Sequence, residues 1–142
     1  MKGQSAVELT MVIGMALILS SPFMLSAQSS AIQLKEASES LQLDDSIKKL
    51  ENNARYLKQK TYPARRNIRF STPGNVERVY GLSFPNRSAL IFQINSRGQP
   101  SNRSVIFDFN TSLHNGGRLE DEGYHDVVLR KNPRGVNISV IS

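Results

Sequence analysis

The chain has 142 residues, 39% hydrophobic and 21% charged, which suits one domain or one domain plus an anchor and excludes wholesale disorder. It has no cysteine and only two histidines, His114 and His125, which excludes disulfides, thiolate catalysis, Cys-based zinc sites and a histidine-rich metal centre. The net charge of +6 is uneven: residues 1–34 hold one Lys and one Glu, 35–62 six basic and five acidic, and 63–142 eleven basic and six acidic. Three parts follow from that division.

No charge falls between Glu8 and Lys35, and within the gap Leu9–Ala27 is rich in Leu, Ile, Val and Met. As a helix, that stretch rises about 29 Å, close to the hydrocarbon thickness of a bilayer. Backbone amides in lipid must bond within their own segment, so a transmembrane helix over 4–27 is expected. Pro22 removes one such bond, and Ser20 and Ser21 are placed to satisfy the freed groups, so a kink rather than a break is expected. Two rival readings attach to this segment. A buried helix of a soluble protein would show polar residues on one face. A cleavable secretory signal could end at Ala27-Gln28-Ser29, but its basic start would be only Met1-Lys2-Gly3, followed by an acidic Glu8. A carboxylate at the lip of a membrane helix is costly unless paired.

Lys2-Gly3-Gln4-Ser5-Ala6-Val7-Glu8-Leu9, followed at once by the apolar run, resembles the class III signal peptide of archaeal type IV pilin-like proteins. Small bacterial Tad-type pilin-like proteins share a similar start. The resemblance implies a leader of residues 1–3, cut between Gly3 and Gln4 by a prepilin-type peptidase, with the apolar helix retained. It also implies an assembly role for Glu8, which becomes the fifth residue of the mature chain. Cutting there creates a new α-amino group at Gln4, with a reference pKa of about 7.7–8.0, able to pair with Glu8 of a neighbouring copy. Lys2 on the cytoplasmic side orients everything after Ala27 outward, giving a single-pass membrane protein that forms a cell-surface filament if assembled.

From residue 28 to 62 the composition favours a helical stalk. Leu43, Ile47, Leu50, Ala54 and Leu57 recur at spacings of four and three, one apolar stripe suited to packing on the chain's own head or on a second helix. The helix either runs unbroken or restarts at Asp44-Asp45-Ser46, a plausible N-cap cluster. Tyr62-Pro63 should end it.

Residues 63–142 read as an all-β extracytoplasmic head of six strands: 67–71, 76–84, 88–95, 103–109, 124–131 and 135–141. Residues 110–123 read as irregular, and Asn132-Pro133-Arg134 as a hairpin turn. The fold class is therefore α+β, with a long N-terminal helix and a small antiparallel sheet or sandwich.

Motifs for catalysis are absent, so an enzyme is not expected, and neither a cofactor nor a metal is implied. His125 and Asp126 would point to opposite faces of a strand, and both histidines are expected at the surface. Glu120-Asp121-Glu122 lacks calcium-loop spacing. Four sequons, at Asn86, Asn102, Asn110 and Asn137, are candidate glycosylation sites if the head lies outside the cell. The head's ten arginines are dispersed along the sequence without interleaved aromatics, so specific nucleic acid is not expected, while an anionic surface or glycan is a possible partner. Expected partners are membrane lipid, the peptidase, and other copies or other pilin-like subunits. The reading is a pilin-like structural subunit. The alternative is a single-pass anchored binding or adhesion protein that does not polymerise, and a secreted β-domain is a third.

Overall fold

The computed structural model describes residues 2–96 and 98–142, with side chains from Gln4 onward; the expected leader's Met1, the side chains of Lys2 and Gly3, and Arg97 lie outside the described residues. One helix, α1 (Lys2–Gln59), is followed by β1 (Arg65–Thr72), β2 (Val76–Phe84), β3 (Arg87–Ser96), β4 (Gln99–Phe107) and β5 (Asn110–His114). A short 3₁₀ turn (Gly116–Glu120) leads to β6 (Gly123–Lys131) and β7 (Gly135–Val140). The architecture is α+β, as the sequence pattern implies. Two compact units divide the chain, one reaching to Ala37 and one spanning Ser38–Ser142.

In the first unit α1 is unbroken at Pro22, and Ser20 Oγ donates to the Leu17 carbonyl at 3.0 Å. The helix is long and apolar enough, by length and composition, to cross a membrane.

In the second unit the helix does not restart. The Asp44-Asp45-Ser46 triplet lies inside α1. Ser46 Oγ instead accepts from the Ser71 amide at 3.1 Å, and Asp44 faces Arg103 at 3.5 Å. Leu43, Ile47, Leu50, Ala54 and Leu57 are all buried in one cluster with Ile68, Phe70, Phe92, Phe107 and the inward residues of β6 and β7. The apolar stripe is thus part of the head's core. Phe70 and Phe92 stack at its centre with ring centroids 5.6 Å apart.

The strands form two sheets, β1-β6-β7-β5 and β2-β3-β4. Pairing is antiparallel except between β5 and β7, which run parallel with Asn110 opposite Gly135. A Cβ at Gly135 would stand 1.8 Å from the Asn110 carbonyl oxygen, so that approach admits only glycine. Here the all-antiparallel, six-strand expectation is amended: residues 110–114, read as irregular, form a seventh strand. Asn-Thr-Ser-Leu-His has little strand character of its own, and its partner is supplied from β7. Pro100 lies in β4, an edge strand, where a missing amide is tolerated.

The helix closes one side of this pair of sheets. It bonds β1 through Ser46, and Arg55 Nη2 donates to the Ile106 carbonyl of β4 at 2.9 Å. Arg55 also bonds Asp108, just past β4, at 3.1 Å, and Glu51 of the same helix at 2.9 Å holds its guanidinium in place. On the opposite side β2 lies near β5 and the 3₁₀ turn, where the Val79 amide donates to Glu120 Oε1 at 3.1 Å.

Candidate functional site

The N-terminal segment presents apolar side chains all round. Val7, Leu9, Met11, Val12, Ile13, Met15, Leu17, Ile18, Leu19, Phe23, Met24 and Leu25 are each more than half exposed. Gln4 and Glu8 are exposed on the same helix, and Glu8 makes no ion pair among the described residues. Thr10 Oγ1 donates to the Ala6 carbonyl at 2.8 Å, so its hydroxyl is satisfied inside the helix and adds no open polar group to the apolar surface. The Gly3 half of the expected Gly3–Gln4 cleavage site lies outside the described side chains.

The four sequons fall into two classes. Asn86, in the β2–β3 turn, and Asn102, on β4, are exposed. The Asn110 Oδ1 is buried, and Asn137 Oδ1 accepts from Ser112 Oγ at 2.7 Å and from Asn132 Nδ2 at 2.5 Å. The motif alone does not distinguish them, because the engagement of Asn137 comes from the β5–β7 pairing. Ser88, which completes the Asn86 sequon, is buried, with its hydroxyl bonded to the Phe109 carbonyl and Thr111.

No group of three or more His, Asp or Glu suited to a metal ion occurs among the described residues. Glu120 serves structure by accepting from the Val79 amide. His125 and Asp126 do lie on opposite faces of β6, but the expectation of a surface position for His125 is corrected: it is buried. Its Nδ1 lies 3.2 Å from the Ser142 carbonyl and its Nε2 2.9 Å from the Asp121 carbonyl, so it ties the loop before β6 to the chain's last residue.

One arrangement is invisible in the linear sequence. Two basic clusters lie on opposite faces of β1: Arg65, opposite Arg130, with Tyr62 on one, and Arg66 and Lys60 around Tyr56 on the other. Lys60 Nζ lies 4.5 Å and the Arg66 guanidinium 5.0 Å from the centroid of the Tyr56 ring. The Tyr56 phenol is held below its ordinary pKa, first by a hydrogen bond from Lys60 and by that ammonium's charge, with a smaller contribution from Arg66. The only sequence signal for this arrangement is the absence of Asp and Glu from residues 52–76 and 127–142.

No family model matches the chain. Comparisons with curated proteins and with solved structures likewise give no match.

Proposed function

We propose that this chain is a type IV pilin-like structural subunit, held in the membrane by its N-terminal helix and assembled through that helix after removal of residues 1–3. The observation that supports it best is the division of labour along α1. Residues 43–57 bury their apolar stripe in the head, whereas the large apolar residues from Val7 to Leu25 are each more than half exposed among the described residues. At about 25 cal/mol per Å² of apolar surface removed from water, so many bare side chains require lipid or other copies around them.

Glu8 gives the helix register. In a bundle of such helices a lone carboxylate is costly, but one facing the new Gln4 amino group of a neighbour is compensated. Lipid, a prepilin-type peptidase and sister subunits are the partners this reading requires; catalysis, metal and cofactor have no place in it. If the head is displayed outside the cell, Asn86 and Asn102 are the sequons open to a glycan.

Mass analysis of the purified native protein tests the reading. A chain beginning at Gln4 with the helix retained is the expected result, and Glu8→Ala should be trimmed normally while yielding few or no surface filaments. An intact Met1 would favour a non-polymerising anchored binding protein, and a product lacking Leu9–Ala27 would favour secretion.

A further inference from the structure

Arg55, Arg69 and Arg103 each face a carboxylate: Asp108 at 3.1 Å, Asp126 at 3.9 Å and Asp44 at 3.5 Å. Arg65, Arg66 and Arg130 face none among the described residues. The β1–β6 register sets Arg65 directly opposite Arg130, so two like charges project from the same face of the sheet, a pairing that antiparallel strands ordinarily disfavour. The local sequence offers no relief, since residues 52–76 and 127–142 contain no acidic residue. Beside this pair Tyr62, Pro63 and Ala64 line an open cleft with Arg65, Arg130 and Lys131, and Tyr62 is 59% exposed. Around the helix end Tyr56 carries Lys60 and Arg66. The latter pair lies on the other face of β1. The cleft thus sets two arginines without counter-charges beside an exposed aromatic ring, and a ligand that supplies both negative charge and flat faces completes the site.

Phosphodiesters match guanidinium geometry, and unpaired bases stack on tyrosine whatever their sequence. A duplex keeps its base faces hidden and leaves Tyr62 unused, whereas an acidic polysaccharide offers charge without a π-face. We propose that the Tyr62–Arg65–Arg130 cleft is a sequence-tolerant binding surface for single-stranded nucleic acid. It goes beyond the assembly reading and does not depend on it, because every residue involved lies in the second unit.

The test is fluorescence anisotropy of a labelled, mixed-sequence DNA strand of about 20 nucleotides, which covers the usual site sizes. It is titrated with the full chain in neutral detergent micelles at low salt. Arg65→Gln/Arg130→Gln should bind at least about tenfold more weakly, with the salt slope reduced by about 1.4, at about 0.7 per lost phosphate contact. The same variant should unfold no more easily than the parent, because it removes a like-charge pair. Tyr62→Ala should weaken binding about five- to tenfold through lost stacking. Arg78→Gln/Arg87→Gln, an equal charge change on the β2–β3 sheet, should stay within about twofold of the parent. The proposal is overturned if the parent chain does not bind, if both charge pairs weaken binding equally, if Tyr62→Ala binds like the parent, or if a sulfated polysaccharide displaces the strand from parent and Tyr62→Ala alike.

Discussion

At Ser88 one hydroxyl, 1% exposed, serves two segments of chain. Its oxygen lies 2.8 Å from the Phe109 carbonyl, 3.0 Å from the Thr111 amide nitrogen and 2.7 Å from Thr111 Oγ1. A hydroxyl has one hydrogen and two lone pairs, so donating to Phe109 and accepting twice from Thr111 fills its capacity. The three bonds pin the crossing from the β2-β3-β4 sheet to β5. Ser88→Ala leaves the Thr111 amide and the Phe109 carbonyl without this partner in a buried site, at a cost of about 1–3 kcal/mol. Ser104→Ala, on the exposed outer side of β4, should change stability by no more than about 0.5 kcal/mol. Urea unfolding followed by tyrosine fluorescence measures both, and equal midpoints for the two variants would remove this role for Ser88. The sequence marks Ser88 as the third residue of a sequon and the start of a strand; its burial depends on β5, which the sequence does not announce.

Along the helix, two leucines on different faces should separate sharply. Leu50 is 0% exposed within the core, so Leu50→Ala should cost about 2–5 kcal/mol of stability. Leu41 is 71% exposed, and Leu41→Ala should stay within about 0.5 kcal/mol of the parent in the same unfolding experiment. A large effect of Leu41→Ala with a small effect of Leu50→Ala would reverse the assigned faces. This face assignment is legible in the sequence because the four-three spacing belongs to one helix and needs no distant partner. The strands β2, β3, β6 and β7 are legible for the same reason, their alternation and turn residues being local. What is hidden depends on pairing across the chain: β5 exists through its parallel register with β7, and the Arg65–Arg130 apposition through the β1–β6 register. The Asp44-Asp45-Ser46 triplet carries a true capping signal, yet the packing of Leu43 and Ile47 on either side of it keeps the helix continuous. Sequons are readable as motifs, but whether an asparagine is open, like Asn102, or engaged, like Asn137, is a tertiary fact.

In the second unit the sheet edges are partly engaged by the rest of the chain. Exposed sheet edges invite pairing with other chains, and natural proteins cover them. Here α1 bonds the end of β1 through Ser46 and the end of β4 through Arg55, while β2 bonds Glu120 and lies against the β5 region, where a Cβ at Gly81 would stand 3.6 Å from Leu113. The start of β4, residues 99–104, is exposed and carries Pro100 and Arg103, residues that blunt an edge. The apolar exposure on its β2–β4 face is limited to a few side chains, Leu82, Phe84 and Ile106 among them. In contrast, the first unit exposes a dozen large apolar residues between Val7 and Leu25. Association should therefore be a property of the N-terminal segment, and folding a property of the rest. A fragment of residues 38–142 retains the whole core cluster, from Leu43 to Val140. It should be soluble and monomeric by analytical ultracentrifugation and should melt within about 4 °C of the same unit in the full chain, a difference of at most about 1 kcal/mol. The full chain, by the same measurement, should require detergent or lipid to avoid aggregation. Self-association of the fragment would locate assembly contacts in the head instead of the helix, and a fragment that fails to fold would show that Ser38 is not where the independent unit begins.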